Sequence, residues 1–409
     1  MFRAEVVIPR ERSRSTLPIL FSVVILDLIG FGIVMLALPF YAEEFGFSGT
    51  TLGLIFASYA GAQFVFAPFW GRLSDRVGRR PVLLISILGM GLSLLGLGLA
   101  EGLVGVIAAR ISGGFFAANL GVASAYIADV TAEEERTRWM GVLGACFGIG
   151  FVLGPLIAIL LQPLSESLMP GRAAALPILV AAGLAGLNFI WAVFSLREPA
   201  DRSIDQPGEA GNRWALLKDP EIRRLCAVFL LYSLAVTQLE VIFAFFMMKR
   251  FAYDLVTVGW IFVGMAVLMG GVQGGAMKFL AARFGERNLV VAGALVCCFS
   301  FAWIPALEGI GWLLVFLSFS AVGRAVVQPA LLGLTSTTGS PGDRGMVMGT
   351  FQSCGSLARV FGPAMAGWLF DMEIGWPFFF AAILFVAVAF IGKGLPLRAT
   401  QPAAALAAP

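Results

Sequence analysis

The chain has 409 residues, 59% of them hydrophobic and only 13% charged, with a mean hydropathy of +0.90 and a formal net charge of +3. Such a composition excludes a soluble domain and describes a polytopic membrane protein, because the apolar runs reach the ~20 residues of a spanning helix and exceed the roughly 10-residue strands of a barrel. The sequence has no histidine, and neither a phosphate loop, a nucleophile-base pair nor a metal-ligand cluster, so enzyme, metal and cofactor readings lack support, and no basic patch points to nucleic acid.

In chain order the apolar runs predict twelve spans, at 17–40, 51–70, 82–100, 103–128, 139–161, 174–195, 224–248, 256–277, 288–306, 311–333, 346–370 and 375–392. The first is span-length and lacks a small-x-small cleavage site, so it is expected to stay in the mature chain. Twelve spans put both termini on one side. Every Lys and Arg outside the spans falls on that side except Arg172, Lys249 and Arg250, so the positive-inside rule makes both termini cytoplasmic and, in a prokaryote, the membrane the inner one. The expected organisation is a cytoplasmic N-terminus (1–16), a six-helix bundle (17–196), a cytoplasmic linker rich in charge, Pro and Gly (197–223), a second six-helix bundle (224–392) and a cytoplasmic Ala/Pro tail (393–409) read as disordered. All five cysteines lie inside apolar runs, where a thiol acts as a small hydrophobe.

The two halves repeat. Phe45 and Gly53 recur 206 residues later as Phe251 and Gly259; Arg136, Gly141, Cys146, Gly154 and Pro155 recur 208 later as Arg344, Gly349, Cys354, Gly362 and Pro363. Parallel six-span repeats are the plan of a transporter in which one half rocks against the other about a midplane site. Between spans 2 and 3, Gly71-Arg72-Leu73-Ser74-Asp75-Arg76-Val77-Gly78-Arg79-Arg80-Pro81 reads as a polar loop, and its second copy, Lys278 to Arg287, replaces Asp75 by Ala282. An anchoring loop needs only the basic charge. Gly71 and Gly78 at fixed points, Asp75 before Arg76, and Arg79 and Arg80 after the second Gly point further, to a gate in which Asp75 accepts hydrogen bonds at a neighbouring helix N-terminus and the arginines pair with cytoplasmic carboxylates.

Two carboxylates lie well inside apolar runs, Asp27 in span 1 and Glu240 in span 7. An acid at a helix centre costs about 2.5–3.5 kcal/mol on insertion, so each needs a cavity or a partner, and each is a candidate proton carrier; a permanently paired structural carboxylate is the alternative. Arg110, Arg324 and Arg359 share the predicament in spans 4, 10 and 11 and must face the interior or an interface. For Arg324, neutralising Glu240, binding an anionic group of a substrate and snorkelling to the interface are equally open. Gln63, Asn119, Gln238 and Gln328 are candidate polar contacts of a substrate cavity that also takes in Arg324, with Phe64, Phe115, Phe116, Phe243 and Phe245 as its walls, although a phenylalanine in a span faces lipid equally well.

The loop from Gly71 to Pro81, the twelve spans and the six-plus-six repeat together resemble the major facilitator superfamily, whose signature between spans 2 and 3 the loop matches almost residue for residue. More narrowly, Leu26-Asp27-Leu28-Ile29-Gly30-Phe31-Gly32, Gln63 before Ala67-Pro68, Arg110 and Ile127-Ala128-Asp129 resemble the tetracycline and multidrug proton antiporters. So does Gly144-Ala145-Cys146-Phe147-Gly148 followed by Gly154-Pro155, which is similar to that family's span 5 antiporter signature; ordinary small-residue packing is the alternative for these glycines. The resemblance places Arg110 beside the proton site, and it likens the stretch from Ser356 to Pro363, which contains Arg359, to the span 11 pattern of multidrug-type relatives. Where tetracycline pumps carry an intramembrane His in span 8 and Asp in span 9, this chain has Met269 and Cys297, which cannot exchange protons at neutral pH, though Gln273 still matches.

The resemblance implies an all-α membrane fold of twelve helices in two pseudo-symmetric six-helix bundles. It also implies a monomeric secondary transporter that exports a hydrophobic or amphipathic small molecule in exchange for protons by alternating access, with the lipid bilayer as its other partner. A proton-coupled uptake symporter or uniporter for a small metabolite is the alternative, and a non-transporting membrane sensor or assembly factor the second.

Overall fold

The computed structural model describes residues 17–117, 119–131, 133–172, 174–198, 216–339 and 344–396; the N-terminus, most of the expected linker and the end of the tail lie outside the described residues. Helices follow one another almost without interruption, as lipid demands, because a backbone without water must satisfy its own N–H and C=O groups. They are α1 (Leu17–Glu44), α2 (Gly49–Val77), α3 (Arg79–Leu99), α4 (Leu103–Phe116), α5 (Asn119–Val130), α6 (Glu133–Leu168), α7 (Ala175–Ser195), α8 (Pro220–Phe251), α9 (Leu255–Gly271), α10 (Met277–Phe284), α11 (Glu286–Trp303), α12 (Ile310–Ser336), α13 (Arg344–Met372) and α14 (Trp376–Gly392). α4 and α5 are two pieces of one span, and α9 continues through a π-helical turn, Val272–Ala276, into α10. Counted so, the helices among the described residues make twelve, of which ten are long and apolar enough to cross a membrane and α14 is apolar but shorter.

Local sequence sets the boundaries. Asp219 caps α8, accepting from the Glu221 N–H at 2.7 Å with Pro220 as the first helical residue, and Asp254 caps α9 through the Thr257 N–H at 2.9 Å. The stretch from Gly71 to Pro81 reads as a loop in sequence, yet α2 runs on to Val77 and α3 starts at Arg79. Nothing before Gly78 breaks a helix, and Gly78 alone, at φ +111°, makes the corner in a region that favours glycine. Gly285 makes the equivalent corner at φ +75°, so the repeat extends to backbone conformation.

The chain divides into two compact units, Met1–Gly46 with Ser58–Pro207 and Phe47–Ala57 with Gly208–Pro409. In the first, Leu17, Leu20, Phe21, Val24 and Leu28 of α1 pack into one cluster with Trp70, Val82, Leu83, Val122, Tyr126 and Leu143. The second is held by aromatic contacts: Phe229 stacks on Phe351 with centroids 3.9 Å apart, Phe246 meets Phe378 at 4.6 Å and Phe301 meets Phe385 at 5.1 Å. The start of α2 belongs to this second unit. The Asp371 carboxylate at the end of α13 accepts from the Gly49 and Thr50 N–H groups, both at 2.7 Å, satisfying two orphan donors of the helix N-terminus.

Candidate functional site

The expected site residues fall into three charged clusters and one seam of close helix packing. The first cluster gathers where α2 meets α3. Asp75 lies one turn before Arg79 and pairs with it, while Arg79 Nε donates to Asp129 Oδ2 at 2.9 Å and Nη1 to Ser74 Oγ at 2.7 Å. The surroundings of the two carboxylates differ sharply: the Asp75 side chain is 61% exposed and that of Asp129 3%. The Arg79 and Arg80 N–H groups that open α3 donate to Glu198 at 2.7 and 2.9 Å, and Arg80 Nε and Nη2 donate to the Leu196 and Val193 carbonyls, both at 2.7 Å. The carboxylate that accepts from the backbone at this helix N-terminus is therefore Glu198, from a stretch that reads as linker, while Asp75, at the end of α2, pairs across the Gly78 corner with the Arg79 side chain that opens α3. Gly71 lies within α2, and Arg76 is exposed.

The second cluster joins Asp27, Tyr59 and Arg110 on α1, α2 and α4. Arg110 is 5% exposed, and its guanidinium lies over the Tyr59 ring, 4.3 Å from the centroid, where a desolvated cation is attracted by the ring's negative face. Asp27 is half-buried, and Tyr59 lies within electrostatic reach of both Asp27 and Arg110. Tyr59 is the member that sequence reasoning missed. Its one legible signal is that it stands one turn before Gln63, and Gln63 Nε2 donates to the Ala117 carbonyl at 3.3 Å, where α4 ends. Asn119 opens α5, and its side chain lies outside the described residues.

The third cluster lies within the second unit. Glu240, half-buried on α8, is within electrostatic reach of Arg324 on α12 and Arg359 on α13; Arg324 is 6% exposed and Arg359 exposed. Gln328, one turn beyond Arg324, is exposed too. Gln238 has a packing role instead: it is 1% exposed and its Nε2 donates to the Leu234 and Gly362 carbonyls at 3.2 and 3.3 Å, bridging α8 and α13. Phe243 and Phe245, expected as cavity walls, are core residues, Phe243 edge-on to Phe262 and Phe245 tilted against Phe370, whereas Phe64 is exposed and Phe115 and Phe116 pack edge-on to each other.

The packing seam lies between α1 and α6. A Cβ added to Gly154 would stand 2.7 Å from the Gly32 Cα, so the two backbones touch and glycine is required there. Pro155 follows inside the helix; Gly148 faces open space, and Gly144 sits one turn earlier on α6.

Helical repeats, intramembrane charge clusters and this seam together suggest a transporter scaffold, and a sequence model of the Major Facilitator Superfamily matches residues 20–278 and 225–407. The chain belongs to this superfamily. It is 31% identical over 357 residues to the class D tetracycline resistance protein of Salmonella ordonez, covering 85% of this chain and 88% of the relative. Multidrug resistance protein 2 of Bacillus subtilis (strain 168) is 26% identical over 394 residues, covering 93% and 94%. The crystal structure of the human organic anion transporter MFSD10 (TETRAN) superposes with a TM-score of 0.66 at 25% identity, covering 93% of this chain and 99% of the other. As a major facilitator superfamily transporter, the protein moves a small molecule across a membrane.

Proposed function

We propose that this transporter exports hydrophobic or amphipathic small molecules in exchange for protons, with Asp27 and Glu240 as the proton carriers. One observation carries the reading: each unit holds an intramembrane acid whose cluster includes a buried arginine, Asp27 and Arg110 both within electrostatic reach of Tyr59, and Glu240 within electrostatic reach of Arg324. A carboxylate so placed is stabilised by the arginine when charged and frees that arginine when protonated, which ties proton binding to the electrostatics of the site. The relatives named for tetracycline and multidrug resistance support the direction of transport. Met269 and Cys297, standing where tetracycline pumps carry a His and an Asp, argue for a proton route through Asp27 and Glu240 and against tetracycline itself as the substrate.

The cycle follows from these charges. A proton arriving from outside neutralises Asp27 or Glu240 and releases substrate or the partner arginine; the units reorient, and loss of the proton to the cytoplasm resets the site. The basic cluster at Arg79 and Arg80 is the cytoplasmic gate in this scheme, the protein acts as a monomer, and the distribution of Lys and Arg supports an inner-membrane orientation with both termini inside. The test is uphill movement of fluorescent drugs in proteoliposomes under an imposed proton gradient. Wild type should accumulate dye, and Asp27→Asn and Glu240→Gln should lose accumulation while still exchanging dye for dye; accumulation by both variants at the wild-type rate would overturn the assignment.

A further inference from the structure

The third cluster carries more positive charge than its acid can balance, and the excess has an address. Arg324 is 6% exposed, deep in α12, yet its guanidinium has only weak partners among the described residues: Nε reaches the Ser320 carbonyl one turn back at 3.4 Å, and Nη2 the Met265 Sδ at 4.0 Å. Nη1 has no hydrogen-bond partner among the described residues, and no carboxylate there lies within ion-pair distance of the group. A buried guanidinium without a paired anion is costly, and a fold retains one where something else supplies the negative charge. Glu240 is within electrostatic reach of both Arg324 and Arg359, so one carboxylate answers two cations. The remaining titratable groups near Arg324 are Tyr232 and Cys297, both neutral at ordinary pH. The Tyr232 hydroxyl is occupied, donating to the Arg324 carbonyl at 3.2 Å.

From this geometry we infer that Arg324 is the head-group site for an amphipathic organic anion, a carboxylate or sulfonate whose two oxygens dock on the guanidinium fork while its apolar part lies against Met265. Bidentate docking suits arginine and not lysine, since the planar fork presents paired donors where an ammonium presents a point charge. Met265, unbranched and polarisable, adapts to a range of apolar shapes. Gln328, exposed one turn along the same face of α12 and without a hydrogen-bond partner among the described residues, offers an amide donor to the same head group. Arg359 contributes attraction without needing contact. The inference rests on the transporter reading and deepens it by giving the substrate a charge.

The experiment separates the two. Equilibrium binding of 2-naphthoate to the full-length protein in detergent is followed by tryptophan quenching and by thermal stabilisation, beside its neutral methyl ester and a naphthyl trimethylammonium cation. Wild type should bind the carboxylate at least about tenfold more tightly than either analogue, consistent with the loss of a charge-assisted bidentate contact. Arg324→Gln should remove that preference, and Arg324→Lys should keep only part of it. Equal binding of all three probes by wild type, or an unchanged carboxylate preference in Arg324→Gln, would overturn the anion site without touching the proton scheme. Should Arg324→Gln fail to fold, the wild-type selectivity and the Arg324→Lys response still decide the question. Carboxylate binding that depends on Arg324, with no proton-driven transport of any probe, would uphold the site and refute the exchange reading.

Discussion

Asp129 and Asp75 both contact Arg79, and replacing each in turn distinguishes a structural carboxylate from a peripheral one. The Asp129 side chain is 3% exposed and accepts from Arg79 Nε at 2.9 Å, and the arginine side chain is itself 13% exposed. Removing one partner of so enclosed a pair typically costs about 3–5 kcal/mol, and Asp129→Asn, which keeps an acceptor oxygen, belongs at the lower end. The Asp75 side chain is 61% exposed, and a pair with one partner in solvent is worth about 0–1 kcal/mol. Asp129→Asn should therefore lower the detergent melting temperature by on the order of 5 °C and Asp75→Asn by about 2 °C or less. In a double-mutant cycle with Arg79→Gln, only Asp129 should show strong coupling. Equal destabilisation by the two variants, or additivity of Asp129→Asn with Arg79→Gln, would show that the enclosed pair is not what holds α3 to α5.

The packing seam predicts a contrast along α6: Gly154→Leu drives a side chain into Gly32 and should destabilise by about 1–3 kcal/mol or prevent folding, while Gly148→Leu, facing open space, should change melting little. Over Arg110, Tyr59→Phe should retain stability because the ring face remains, and Tyr59→Leu should cost about 1–2 kcal/mol, read by the same melts. Asp371→Ala should speed amide exchange at Gly49 and Thr50, the two donors it caps, and cost about 1 kcal/mol. Burial alone would raise the Asp371 carboxyl, but the hydrogen bonds from Thr50 and Gly49 outweigh it and hold its pKa below the ordinary value. A depressed carboxyl contributes its stability above the unfolded-state pKa and loses it as pH falls through the folded one, so protection at Gly49 should persist from neutral to mildly acidic pH and vanish only in strong acid.

The spans were legible in sequence because hydropathy is the dominant force in lipid, and the repeat was legible because Gly78 and Gly285 hold the same unusual corner. The intramembrane acids and arginines were legible for the opposite reason, being too costly to be accidental. What the sequence hid is pairing. Asp129 and Arg79 are 50 residues apart, Glu198 sits among residues that look like linker, and Tyr59 carries no charge to flag it. Hydropathy also gives no inside and outside to an apolar residue in a span, so only their ring contacts with Phe262 and Phe370 distinguish Phe243 and Phe245 from cavity walls. The polar run before Gly78 read as a loop because charge ended the apolar stretch, although nothing in it opposes a helix.

Counting protons tests most directly the proposed exchange, in which substrate and protons move in opposite directions through Asp27 and Glu240. With a pH dye sealed inside proteoliposomes and no initial gradient, a substrate dye added outside should enter and expel protons, so the lumen of wild-type vesicles should turn alkaline in proportion to dye uptake. Asp27→Asn and Glu240→Gln should show dye exchange with no alkalinisation. A lumen pH that stays constant while wild type moves dye, or that rises equally in both variants, would contradict the account.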